Sequence, residues 1–128
     1  LIENAETLTK DNNSLFLNIA LNYGGRNEIL SAAAAWAKDM AEKGLEPSFE
    51  NAEEFFAQHL MTNGMPDPDI LIRTSGEQRI SNFLLWQCAY TEFVFTDTLW
   101  PDFNKSDLER AIADFQKRDR RFGAVKTH

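Results

Sequence analysis

Apolar and polar positions change period several times along the chain, and each change marks an element. Ile2, Ala5 and Leu8 recur at helical spacing ahead of the polar break Asp11-Asn12-Asn13-Ser14, which predicts the last turns of a helix. "LFLNIAL", Leu15 to Leu21, is short, mostly apolar and bounded by turn residues, the pattern of a strand covered on both faces. "NYGGR" ends it. From Glu28 to Lys43 the residues Ile29, Ala33, Trp36, Ala37 and Met40 keep one apolar stripe, and Gly44 supplies the stop, so a helix is expected to pack there on the sheet.

A second helix is expected from the N-cap Ser48 through Phe49, Ala52, Phe56 and Leu60, before Asn63-Gly64-Met65-Pro66 breaks it. His59 lies among those positions as a structural or solvent-facing histidine. "DILIRT" predicts the second strand, Asn82 to Tyr90 a helix, and Phe93 to Phe95 a third short strand. Ser106-Asp107-Leu108-Glu109 has the form of a capping box opening a last helix through Leu108, Ile112 and Phe115, which turns strongly basic from Lys117 to Arg121. Strands separated by helices give an α/β class with a parallel sheet flanked by helices, because parallel neighbours need a crossover. In such sheets ligands collect beyond the carboxyl ends of the strands, where "NYGGR" and "RTSGEQRIS" both fall. The two stretches are expected to face one cleft.

Composition changes this picture in a few places. A chain of 128 residues is expected to form a single α/β unit, residues 1–128. Its apolar runs are far shorter than the ~20 residues of a membrane span, so no integral membrane segment is expected. The formal charge of −7 argues against general nucleic-acid binding, which relies on clustered Lys and Arg. Any anion site must be local. The single cysteine, Cys88, excludes an internal disulfide, fits a reducing compartment and reads as a core residue. The sequence begins Leu1-Ile2-Glu3-Asn4 with neither Met nor a basic, apolar leader, and a piece of a longer protein is expected.

The polar turn between Ile70 and Trp86 carries the candidate chemistry. Arg73 and Arg79 offer planar forks that suit phosphate oxygens, while Ser75, Ser81 and backbone N–H groups at the start of the next helix can donate further bonds. A charge-assisted bond of this kind contributes about 1.5–3 kcal/mol net, so two arginines and a helix terminus could hold a diphosphate. Ion pairing of Arg73 or Arg79 with Glu77 is the competing reading of the same residues. The turn has no Walker spacing, and Gly24-Gly25 lacks the G-x-G-x-x-G pattern.

"NYGGRNEI" together with "PDILIRTSGEQRISNFLLWQCAYTEFVFTDTLWPDF" resembles the C-terminal signature of the cis-prenyltransferases, most closely the bacterial undecaprenyl diphosphate synthases, over about Ala5 to Gly123. The resemblance implies an N-terminally truncated part of that α/β fold. It implies condensation of isopentenyl diphosphate with farnesyl diphosphate, dependent on Mg²⁺, to give undecaprenyl diphosphate, the carrier-lipid precursor of cell-wall glycans such as peptidoglycan. It further implies a cytoplasmic homodimer, peripheral at the inner face of the plasma membrane.

Carried over by position, Arg73, Arg79 and Ser81 correspond to residues binding the diphosphate of isopentenyl diphosphate, which favours the clamp. Glu92 matches a glutamate tied to the metal-diphosphate site, although a carboxylate there equally suits a salt bridge. Arg121 and Gly123 match an Arg-x-Gly element that reaches the partner subunit's site. The basic Lys117, Arg118 and Arg120 keep the plain reading of a favourable helix end or solvated face. The family's Asp-Gly-Asn-Gly-Arg loop is absent, so no catalytic residue is expected in this chain and the chain alone is expected not to turn over. A non-catalytic partner subunit, or a generic anion-binding α/β domain, are the alternatives. Phe55, Phe56, Phe83 and Trp86 fit tunnel lining or ordinary core.

Overall fold

The computed structural model describes residues 2–46 and 48–118. Helix α1 spans Ile2–Thr9, α2 Gly25–Lys43, α3 Ala52–Ala57 and α4 Lys105–Gln116; strands β1, Ile70–Arg73, and β2, Glu92–Phe95, form the sheet, with a 3₁₀ turn at Trp100–Asp102. The strands pair in parallel, Ile70 opposite Glu92 and Arg73 opposite Phe95. The parallel sheet flanked by helices is the expected class.

Helix α2 ends as its sequence directs. Gly44 takes φ 64°, and Leu45 N–H donates back to Met40 O at 2.9 Å, a left-handed stop that a side chain would resist. The buried face of α2 differs from the expected stripe: Glu28, Ala32 and Trp36 point inward while Ala33 and Ala37 are exposed. Ala32 packs with Phe56 and Leu60 in the core, flanked by Ile29, Trp36, Ala57 and Trp86. Three aromatic rings fill this junction, with Phe56 edge-on to Trp36 and 4.5 Å from Trp86 between ring centroids. Phe56 and Trp86 are therefore core; Phe55 is exposed. His59, half-buried, donates Nδ1–H to Phe55 O at 2.9 Å, a structural role.

Three expected elements differ. Leu15 to Leu21 is not a strand, because none of the described residues pairs with it; Leu15, Phe16, Leu17, Ile19 and Leu21 are all exposed. The second helix is shorter than expected, six residues from Ala52. Asn82 to Tyr90 forms successive turns instead of a helix. Ser81, Asn82 and Leu84 sit at positive φ, and Asn82 and Gln87 spend their polar groups on α2, so tertiary bonds override helix propensity.

Helix α4 lies against β2. Its cap is Asn104, two residues before the expected one: Asn104 Oδ1 accepts from Ser106 N–H at 2.9 Å, and Asp107 Oδ2 accepts from Asn104 N–H at 3.0 Å. Asp107 also accepts from Thr98 and pairs with Arg110. The Asn104 N–H, with Thr98 and Arg110, holds the Asp107 carboxyl below the usual aspartate range against the opposing effect of burial. Its folded value is depressed, so its contribution to stability is full above the unfolded value of about 3.9 and disappears as pH falls through the folded one. Urea denaturation followed from pH 6 to pH 2 should therefore show a shallower acid decline in Asp107→Asn than in the parent; identical declines would remove Asp107 from this role.

Candidate functional site

The parallel ladder continues past the ends of its strands. Thr96 N–H donates to Arg73 O at 2.9 Å, Gly76 N–H to Thr96 O at 2.9 Å, and Ser75 N–H to Thr98 O at 2.9 Å. These bonds fix the start of the polar loop at the carboxyl end of β1. Ser75 and Gly76 take left-handed φ of 67° and 68° to make the turn.

The far end of the loop is fixed on α2. A helix leaves its first N–H groups without intrahelical acceptors, and the N-cap Gly24 has no side chain to help. Asn82 supplies both acceptors from a distance in sequence: its backbone oxygen takes Gly25 N–H at 2.7 Å and its Oδ1 takes Arg26 N–H at 2.9 Å. Only glycine permits this approach at position 25. A Cβ there would lie 2.9 Å from Leu85 Cγ, 3.1 Å from Leu85 N and 3.2 Å from Asn82 O. "NYGGR" thus meets Asn82, the residue that follows "RTSGEQRIS".

One turn into α2, Glu28 is 2% exposed. Its carboxylate accepts from the Tyr23 hydroxyl, from Met61 N–H at 2.9 Å, and from Gln87 Nε2 at 3.2 and 3.1 Å. No ion pair among the described residues involves it. Burying an ionised carboxylate costs several kcal/mol, and charge-assisted hydrogen bonds of about 1.5–3 kcal/mol each offset that. Burial first, then the bond to Glu28, hold the Tyr23 hydroxyl well above the ordinary phenol range. The Tyr23 ring also meets Phe83 edge-on, 5.5 Å between centroids. A cavity of ≈ 480 Å³ opens beside these groups, lined by Leu21, Tyr23, Met65, Phe83, Leu84 and Gln87 among others. Burial raises the Cys88 thiol, and Cys88 stays a buried core residue as expected.

The candidate clamp residues fall in this frame as follows. Arg73 ends β1 and is half-buried; Arg79 and Ser81 are exposed on the loop. Arg79 pairs with Glu77, the competing reading made from sequence. Arg79 is exposed and Glu77 half-buried, so solvent screens the pair to about 0–1 kcal/mol and leaves the guanidinium available to a stronger anion. The helix terminus expected at Asn82 is not there, and the first two N–H groups of α2 are taken by Asn82. The site's donors are therefore side chains.

Glu92 is not brought to Arg73. The register sets it opposite Ile70, three residues or about 10 Å down the strands from the Arg73 end. There it pairs with Arg118, whose Nη1 donates to Glu92 Oε2 and to Phe93 O at 2.8 Å each. Arg118, taken from sequence for a solvated helix end, instead pins the end of α4 to β2. No three His, Cys, Asp or Glu converge as metal ligands among the described residues. These residues do not by themselves fit a Mg²⁺ site. Arg121 and Gly123 lie outside the described residues.

The family model described as "Putative undecaprenyl diphosphate synthase" matches residues 1–123. An isoprenyl transferase of Clostridium tetani is 57% identical over 117 residues, covering 91% of this chain and 46% of that protein. The crystal structure of lavandulyl diphosphate synthase from Lavandula x intermedia, in complex with dimethylallyl diphosphate, superposes with a TM-score of 0.86 at 45% identity. It covers 95% of this chain and 52% of that one. A probable undecaprenyl diphosphate synthase from Campylobacter jejuni gives a TM-score of 0.73 at 40% identity over 95% of this chain and 54% of its own. The chain spans about half the length of the curated relatives it matches.

Replacing the distant cap tests this geometry directly. Asn82→Ala removes the Oδ1 acceptor and places a Cβ residue without its polar group at φ 64°, which should cost about 1–2 kcal/mol in urea denaturation. Asn82→Asp keeps the acceptor and should cost less than half as much. Equal losses in the two variants would mean that the cap is not what the side chain supplies.

Proposed function

The chain belongs to the undecaprenyl diphosphate synthase family, and from that premise we propose that the gene product carrying it joins isopentenyl diphosphate to an allylic diphosphate, farnesyl diphosphate, giving undecaprenyl diphosphate. The observation that carries the reading is the loop that follows β1. It presents Arg79 and Ser81 to solvent on the loop that begins at Arg73, at the carboxyl end of β1, and among the described residues Arg79 pairs with the half-buried Glu77. The solved relative from Lavandula x intermedia, which holds dimethylallyl diphosphate, is a further support for an allylic diphosphate as substrate class.

In this reading the diphosphate of isopentenyl diphosphate displaces Glu77 from Arg79, and Arg73, Arg79 and the Ser81 hydroxyl divide its oxygens among them. Two arginine forks give the charge and the direction; a hydroxyl completes the set. Two diphosphates in one cleft repel each other, so cationic side chains on one of them lower the cost of bringing the reacting carbons together. Arg121 and Gly123 reach the site from a second copy of the chain, and Glu92 belongs to the metal side of the reaction only in that assembly, since its own strand register sets it away from Arg73. Mg²⁺ would draw on ligands beyond the described residues. The proposed setting is the cytoplasmic face of the membrane, where the product is released; no helix among the described residues is long and apolar enough to cross a membrane.

Product analysis on the gene product with isopentenyl diphosphate, farnesyl diphosphate and Mg²⁺ tests the reading. Long cis-polyprenyl diphosphate is expected, and Arg79→Ala should raise KM for isopentenyl diphosphate about 10- to 100-fold, the equivalent of one lost charge-assisted contact. Folded gene product that makes none would point to a non-catalytic partner subunit or an anion-binding domain.

A further inference from the structure

Among the described residues no cation pairs with the buried Glu28 carboxylate, and its burial needs a reason beyond filling the core. Its partners come from three separate segments: Tyr23 before α2, Met61 after α3, and Gln87 in the turns that follow the clamp loop. A carboxylate is planar and accepts on both oxygens, so donors from three directions fix those segments relative to one another. An apolar residue of the same size would pack there but would fix nothing.

Gln87 is as buried as Glu28, at 2% exposure. Its Nε2 donates to Glu28 and also to Thr62 Oγ1 at 2.9 Å, while its buried Oε1 has no hydrogen-bond partner among the described residues. Both Glu28 oxygens accept from Gln87 Nε2, so the amide turns its nitrogen toward Glu28 even though its oxygen finds no partner among the described residues. The amide orientation is thus dictated by Glu28, and an unpaired buried oxygen is tolerated to keep it.

The clamp loop hangs between two anchors. On the β1 side it is held by Thr96 and Thr98; on the α2 side Asn82 meets Gly25 and Arg26. Asn82 alone would allow the loop to pivot on the helix end. Glu28 lies three residues further along α2, about 4.5 Å up the axis, and holding Gln87 there supplies the second point that stops the pivot. Resting on the diphosphate reading above, we propose that Glu28 and Gln87 are positioning residues, which set the placement of Arg79 and Ser81 relative to Arg73 through this second anchor.

The test uses the full gene product, with inorganic diphosphate binding by calorimetry alongside steady-state kinetics. Glu28→Gln and Gln87→Glu each break the donor-acceptor match at the buried pair. Each should weaken inorganic diphosphate binding about tenfold and raise KM for isopentenyl diphosphate to a similar extent, with KM for farnesyl diphosphate and kcat moving less than threefold. The swapped double variant Glu28→Gln/Gln87→Glu restores one donor facing one carboxylate, and should return both quantities to within about threefold of the parent. Thr62→Val, which leaves Glu28 and Gln87 paired, gives a milder readout if a single variant does not fold: about threefold weaker diphosphate binding. Unchanged diphosphate binding in folded single variants, or in Thr62→Val where those do not fold, would overturn the proposal. So would a folded swap that restores nothing, or a loss in which KM for both substrates and kcat all move together. A parent that binds inorganic diphosphate yet forms no prenyl product would remove the prenyl-transfer reading and leave this inference standing on the binding data.

Discussion

The first turn of a helix has N–H groups that need acceptors, and in α2 those acceptors belong to a residue almost sixty positions away. Asn82 meets Gly25 with its backbone and Arg26 with its side chain, at 2.7 and 2.9 Å. The contact requires the absence of a side chain at Gly25 and left-handed backbone at Asn82. It decides the rest of the site. Because Asn82 is spent on α2, the following residues turn instead of forming a helix. Because they turn, Gln87 reaches the buried Glu28, and the polar residues from Glu77 to Ser81 are left bridging the sheet and the helix in solvent.

The sheet contributes direction. Two parallel strands in register put Arg73 and the loop at one end and Glu92 at the other. Each end then has its own electrostatic arrangement: a half-buried Arg73 and an exposed Arg79 with a weakly held glutamate at the first, and an Arg118–Glu92 pair that fastens α4 at the second. A reading that gathers all charged motif residues into one pocket of one chain does not fit this register. Similarity to prenyl diphosphate synthases at 40–45% identity and high structural overlap accords with the same parallel arrangement.

The sequence was most legible where local chemistry decides. Gly44 as a helix stop and the apolar β1 and β2 follow from turn residues and hydrophobic runs. It was least legible where long-range polar bonds decide. Asn82 to Tyr90 has good helical spacing, yet the polar groups of Asn82 and Gln87 are bonded to α2. The inward line of α2 runs through Glu28, Ala32 and Trp36; a glutamate four residues before a buried alanine was the available signal, and an apolar-stripe reading passes over it. The cap of α4 moved from Ser106 to Asn104 for a related reason, since Asp107 can answer Asn104 N–H only from the third helical position. Leu15 to Leu21 has the composition of a buried strand, but pairing needs a neighbour, and pattern alone does not provide one.

The most direct measurement is a crystal structure of the gene product with a non-reactive thiolodiphosphate analogue of isopentenyl diphosphate. The account predicts diphosphate oxygens within hydrogen-bond distance of Arg73, Arg79 and Ser81, with Glu77 released from Arg79 and Asn82 still seated on Gly25 and Arg26. A diphosphate bound away from these three residues, or a loop that leaves α2 in order to bind it, would contradict the account.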